Sequence, residues 1–347
     1  MKAFRTEIVR LIPLLFFAFL AGCRVDPEVR ITKPLGEIVP DGWPVPVYRF
    51  ENNPITTERF ELGRALFYET MLSRDNTISC GSCHQQFSAF ANLDHAVSHG
   101  IDDLEGTRNS PGIFNLTWHG SFMHDGGVNH LEVQPIAPIT NTVEMDEALE
   151  NVINKLRSSP RYDSLFRRAY DSSGITSQKM LKAMAQFMGM MYSVNSKYDR
   201  FKRGEAKFSE QEHRGYEAFR ANCSSCHVEP LFSDFRYRNN GLKPKSGVDD
   251  VGRAMITLKD EDRYRFKTPS LRNVAVTMPY MHDGRYRTLG ECLDHYSSHV
   301  ENFTNLDLPE YGIPLSQEKK KDIIVFLQTL TDYEFLNDPR FSDPNYK

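Results

Sequence analysis

Two pentapeptides decide how this chain reads: Cys80-Gly81-Ser82-Cys83-His84 and Cys223-Ser224-Ser225-Cys226-His227. In each, two thiols three positions apart are followed at once by an imidazole. That is the pattern in which both thiols bond the vinyl groups of a porphyrin and the histidine ligates its iron. A redox dithiol or half of a zinc site competes for a single such pentapeptide. A zinc site wants further Cys or paired His nearby, and two copies weigh against both alternatives. The expectation is two covalently bound haems c, attached at Cys80, Cys83, Cys223 and Cys226, with His84 and His227 as proximal iron ligands.

The halves share more than these motifs. Ser110-Pro111 through Met123-His124-Asp125-Gly126 aligns without gaps with Thr268-Pro269 through Met281-His282-Asp283-Gly284. Asn115 matches Asn273, and Leu131 and Leu289 each fall seven residues after the histidine. This is an internal duplication, with about fifteen extra residues before the second Thr-Pro. Seven residues beyond Leu131 lies Pro138, and seven beyond Leu289 lies Tyr296. Proline cannot ligate iron and tyrosine can. If these positions face the side opposite the proximal histidine, Tyr296 caps the second haem and the first stays open to a small oxidant. A packed helix residue beside His295 is the competing reading of Tyr296.

Working outward, the 347 residues, 40% hydrophobic and 25% charged, are enough for two modest domains with buried cores. A formal net charge of -4 speaks against a nucleic-acid partner. The chain begins with Lys2 and Arg5, an apolar run from Leu11 to Leu20, and then Leu20-Ala21-Gly22-Cys23. Residues 1–22 therefore read as a lipoprotein signal peptide, with Cys23 as the lipid-bearing residue. Residues 23–50, holding Pro40, Pro44 and Pro46, read as a tether. Helical spacing starts at Thr57, a plausible N-cap, and recurs over 145–158, 176–200, 209–222 and 316–330. Strand patterns are scarce, so the fold class is mainly α, with long ordered loops that need something to pack against. Domain limits of 51–200 and 201–347 follow, one haem in each.

At this point the chain resembles the bacterial diheme cytochrome c peroxidase and MauG superfamily. The matching stretches are Arg108-Asn109-Ser110-Pro111, Asp125-Gly126, Gln134 with Pro138 and Glu144, Thr268-Pro269-Ser270-Leu271-Arg272-Asn273, and Pro279-Tyr280-Met281-His282-Asp283-Gly284. The resemblance implies two cytochrome c-like helical domains, the N-terminal one peroxidatic and the C-terminal one for electron transfer. It implies that Glu144 and Gln134 line the peroxide pocket, with Glu144 as acid-base group, and that Pro138 occupies the vacant distal position. It implies a calcium site from Asn109 and the carbonyls of Thr277 and Pro279, an oxygen set suited to a hard cation. His99 resembles the peroxidases' loop histidine, a distal ligand of the resting first haem. Without the resemblance, Glu144 reads as a helix N-terminal charge and His99 as a solvated loop residue.

Two departures bear on function. Tyr296 stands where MauG-type enzymes carry tyrosine and the peroxidases usually carry methionine; a phenolate is the harder, anionic donor and lowers the haem potential. His124 stands where the inter-haem tryptophan usually lies, and imidazole is far harder to oxidise than indole. Trp118, six residues away, cannot be assumed to substitute for it. Cys292 reads as a small buried apolar residue and His282 as a structural partner of His124.

The expected function is a diheme peroxidase that reduces hydrogen peroxide to water at the N-terminal haem. Electrons come from a small donor protein, a c-type cytochrome or cupredoxin, through the C-terminal haem. The alternatives are a MauG-like oxidase that modifies a partner protein, and a non-catalytic diheme electron carrier. The expected location is the periplasmic side of a bacterial membrane, through the lipid anchor.

Overall fold

The computed structural model describes residues 35–93, 95–171 and 174–345. The expected signal peptide and Cys23 lie outside them. The longer helices are α1 Thr57–Phe67, α2 Leu149–Arg157, α3 Pro160–Tyr170, α4 Ser177–Gly189, α5 Lys197–Lys202, α6 Glu210–Asn222, α7 Leu289–Ser298 and α8 Gln317–Gln328. The two-residue strands β1 (Tyr237–Arg238) and β2 (Phe266–Lys267) pair antiparallel, Tyr237 opposite Lys267. The architecture is mainly α, as expected.

Local chemistry sets the helix ends. Thr56, one residue ahead of the expected cap, is extended, and its hydroxyl accepts the Arg59 N–H at 3.2 Å. The helix expected over 145–158 begins only at Leu149, because residues 142–145 form a turn and Asp146 takes a left-handed conformation with φ of 47°. The stretch expected as one helix over 176–200 is two. Its centre is drawn off by side chains: Ser193 N–H donates to Asn115 Oδ1 at 2.9 Å, and Ser196 opens α5 in a reciprocal cap with Asp199.

The buried side chains form two clusters. The first gathers Phe60, Leu66 and Phe67 of α1 with Met184 and Phe187 of α4, and Phe335, Leu336 and Phe341 of the C-terminal segment close it. The second gathers Tyr216 and Phe219 of α6, Phe232, Val274, Leu293 of α7 and Phe326 of α8. Each is built on a helix crossing at a glycine. A Cβ on Gly63 would strike the Ala183 carbonyl, and one on Gly215 the Asp322 carbonyl, with Phe187 and Phe326 respectively the next neighbours. The duplication is thus written in backbone as well as sequence. Asn115 and Asn273 are both left-handed, as are Met123 and Met281, and Gly126 and Gly284, at equivalent positions of the repeat.

Residues 35–50, the described part of the expected tether, run along the body. Tyr48 N–H donates to the Thr117 carbonyl at 2.9 Å and Trp118 Nε1 to the Pro44 carbonyl at 2.7 Å.

Candidate haem sites

Ser79 opens a single helical turn, Cys80–Cys83, its N–H donating to Ser82 Oγ at 3.1 Å. Three-residue spacing on one turn puts both thiols on one face. His84 ends the turn, and its Nδ1 sits 2.6 Å from the carbonyl of Phe90, a residue in left-handed conformation. That bond fixes the ring and leaves Nε2 as the ligating atom, the arrangement that orients a metal-bound histidine.

These residues line a cavity that brings together Cys80, Cys83 and His84 with Gln134, Pro138 and Glu144. Ile113, Met184 and Met188 supply apolar wall. Glu144 Oε1 accepts a 2.7 Å bond from Asn141 Nδ2. Burial raises the Glu144 carboxyl above its ordinary range, and the Asn141 bond opposes the rise. The loop carrying His99 is pressed on this segment: Ile101 N–H donates to the Glu144 carbonyl at 2.8 Å, and a Cβ on Gly100 would run into the carbonyls of Val143 and Glu144. The His99 imidazole is held at the rim, its Nδ1 2.9 Å from Asp103 Oδ1 and its Nε2 3.8 Å from Glu105.

The second site repeats the first. His227 Nδ1 sits 3.1 Å from the carbonyl of Phe232, again left-handed. Tyr296 projects from α7 toward Cys223 and Cys226, whose thiols are close enough to influence its ionisation. Burial pushes the Tyr296 phenol up to about 12, against a 3.4 Å bond from Asn240 Nδ2. Cys292 is a half-buried thiol beside it, pushed up to about 12 by burial.

Three observations show that these residues suit haem attachment. The thiols are free, and burial pushes Cys80 and Cys223 up to about 12; a redox dithiol needs the opposite shift. Each following histidine keeps one ring nitrogen for iron. At the second site Arg238 Nε is buried with no hydrogen-bond partner, in a side chain that feels Cys226 and His227, so a carboxylate such as a haem propionate would satisfy it. Arg238 escaped sequence reasoning because a lone arginine in a loop-rich stretch carries no periodic or motif signal.

Asn109 lies where the two sites meet. Its N–H donates to the His282 carbonyl at 2.7 Å, its carbonyl lies 2.9 Å from His124 Nε2, and its Nδ2 donates to the Ala96 carbonyl. This seats Asn109 against the loop that also carries Thr277 and Pro279. Burial lowers His124 and His282 to about 4, so both imidazoles are neutral at pH 7, and His282 stacks on Phe266 at 3.6 Å. Arg108 joins Asp125 and Asp250 across the same seam, at 2.5 and 2.7 Å.

A mainly helical body with two such sites defines a duplicated c-type haem protein. The family model for di-haem cytochrome c peroxidase matches residues 57–207. The chain is 34% identical to a methylamine utilization protein MauG of Methylorubrum extorquens, over 80% of this chain and 79% of that one. It is 32% identical to a cytochrome c551 peroxidase of Pseudomonas aeruginosa, over 83% of each. The crystal structure of a MauG-like protein associated with microbial copper homeostasis superposes with a TM-score of 0.76 at 32% identity, covering 88% of this chain and 98% of that one. The chain belongs to the diheme cytochrome c peroxidase and MauG family, and it is a peroxidase-like oxidoreductase with two c-type haems.

Proposed function

We propose that the protein reduces hydrogen peroxide to water at the N-terminal haem, with electrons relayed through the C-terminal haem from a small redox protein. The observation that carries this is the cavity in which Cys80, Cys83 and His84 face Glu144, Gln134 and Pro138. Bound there, haem supplies the iron that takes the peroxide and the store for its oxidising equivalents. The protein supplies position and protons. Pro138 brings no donor to the distal face, leaving room for a small oxidant. Glu144, with Oε1 held by Asn141, accepts a peroxide proton at Oε2 and returns it to the departing oxygen. Gln134 Nε2, whose contact here is Met123 Sδ at 3.9 Å, is free to donate to the peroxide instead.

In this reading residues 51–200 would hold the peroxidatic haem and residues 201–347 the electron-transferring haem, with Tyr296 as the side chain that would ligate its iron. Asn109 with the Thr277 and Pro279 carbonyls would hold a calcium ion. His99 would have to leave Asp103 to serve as a ligand of the first iron. Cys23 carries a lipid that keeps the enzyme on the periplasmic face of a membrane; among the described residues no helix is long and apolar enough to cross one.

Tyr296 beside Cys223 and Cys226 also favours a second reading, a MauG-like oxidase that withdraws electrons from a partner protein. Stopped-flow spectroscopy of the diheme protein with hydrogen peroxide and a reduced small c-type cytochrome separates the two. Rapid catalytic oxidation of the cytochrome supports the peroxidase; a long-lived optical change with little turnover supports the oxidase. No reaction with peroxide refutes both.

A further inference from the structure

The chain has two tryptophans, and the fold packs them against each other. Trp43, from the stretch expected as a tether, meets Trp118 with ring centroids 5.0 Å apart. Trp118 is 3% exposed, and Tyr192 lies edge-on to it at 5.8 Å. The pair is joined to the second haem site by a short run of contacts. The Arg272 guanidinium lies 4.5 Å over the Trp43 ring and 5.8 Å from the Phe232 ring, and the Phe232 carbonyl holds His227 Nδ1. Trp43 itself is half-buried and reaches the surface beside Val45 and Val47, which are 67% and 66% exposed. A protein with few easily oxidised indoles has stacked both of them at one place, Trp43 between the surface and the proximal side of one haem site and Trp118 buried directly behind it.

We propose that Trp43 and Trp118 form a redox relay between the surface and the proximal side of the second haem, with Trp118 as the residue that carries the oxidising equivalent.

The surroundings of the two indoles differ in a way that assigns the roles. A guanidinium on the face of Trp43 opposes the positive charge that one-electron oxidation would create there, even with Asp199 balancing Arg272. Trp118 lies one ring further from that cation. Its Nε1–H is bonded to the Pro44 carbonyl at 2.7 Å, an acceptor that stabilises a charged indole and is too weak a base to remove its proton. Oxidation of Trp118 therefore yields a protonated indole radical cation, shielded from water. The electrons balance as follows. Hydrogen peroxide takes up two electrons and two protons to give two waters; the haem pair supplies one electron and Trp118 the other. Two successive one-electron deliveries from an external donor meeting the surface at Trp43 then restore Trp118 through Trp43 and, after it, the haem pair. Tyr192 is the poorer resting place, because a phenol must lose its proton on oxidation, and burial holds that proton firmly.

This rests on peroxide reacting at the first haem site. The test treats the full-length diheme protein with hydrogen peroxide and no donor, freezes it, and reads the radical by electron paramagnetic resonance; peptide mass spectrometry on thawed samples locates oxidised side chains. The expected result is an indole radical that is lost in Trp118→Phe and persists in Trp43→Phe, with oxidation products mapping to Trp118 and absent in Glu144→Gln. An indole signal retained in Trp118→Phe, or a radical on Tyr192 alone in the unaltered protein, overturns the relay. Incorporation of fluorotryptophan into the unaltered chain identifies the radical as an indole without a substitution, through changed hyperfine splitting. If peroxide leaves the haem optical spectrum untouched, the peroxidase reading is what has failed; if the spectrum responds and no indole is oxidised, the relay alone is wrong.

Discussion

Arg272 and Asp199 meet inside the protein through two hydrogen bonds, Nη1 to Oδ2 at 2.9 Å and Nη2 to Oδ1 at 2.7 Å. Both side chains are buried, and Arg272 also donates to the carbonyls of Ser193 and Pro230. The pair ties α5 to the loop that starts the second copy of the repeat. Removing one partner strands a charge in the interior, so Asp199→Ala should cost about 3–5 kcal/mol in denaturant unfolding. Burial raises the Asp199 carboxyl, but the Arg272 bonds outweigh it and hold the group below its ordinary range. A carboxylate depressed in the folded state contributes fully above its unfolded pKa of about 4 and loses that contribution as pH falls through the folded value. The stability gap between the unaltered protein and Asp199→Ala should therefore be flat above about pH 4 and narrow below it.

Glu144→Gln should reduce peroxide turnover roughly 100- to 10,000-fold, the span typical of lost acid-base catalysis, while the optical spectra of both haems stay unchanged. Because the group acts as a carboxylate, turnover should rise with pH along an acid limb set by its raised pKa. Asn141→Leu removes the one hydrogen bond that lowers it, so that limb should move to higher pH with the plateau rate preserved. A limb that stays in place would detach Asn141 from the chemistry.

Replacing Tyr296 by Phe deletes the hydroxyl facing Cys223 and Cys226. The second haem's spectrum should change and its potential should rise, since an anionic oxygen donor favours the oxidised metal. The first haem should be unaffected. An unchanged second-haem spectrum would remove Tyr296 as a ligand.

Arg238→Leu tests the arginine with the orphaned Nε. Arg238 already pairs with Asp234, and its Nε would meet a haem carboxylate; losing this cation would stabilise the oxidised, more positive iron, so the second haem's potential should fall in a redox titration. Covalent attachment at Cys223 and Cys226 should survive, as judged by haem staining of the denatured protein.

Gly63→Ala and Gly215→Ala should each destabilise by about 1–3 kcal/mol in chemical unfolding, because each added methyl meets a helix backbone that cannot step aside. Similar penalties at both sites would show that the duplicated helix crossings do the same work. A neutral result at either one would mean that its helices can separate at low cost.

The primary sequence on its own was enough for the haem motifs, the duplication and the contrast between Pro138 and Tyr296. These are local or periodic: a thiol pair and its histidine lie within five residues, and a repeat shows itself by register. Helix faces were legible for the same reason, since Phe60, Leu66 and Phe67 recur at helical spacing. What the line of residues could not show was set by contacts between distant parts. The break in the stretch expected as one helix came from Asn115 and Asp332, far from Ser193 in the chain. The tether pattern of Pro40, Pro44 and Pro46 did not announce that Pro44 would accept the Trp118 indole N–H. Likewise Arg238 acquired its unsatisfied nitrogen, and Trp43 its place between Trp118 and Arg272, only when the two copies folded together. A hydrogen bond or a ring contact across more than seventy residues depends on where both partners end up, and that is decided by the packing of the whole core.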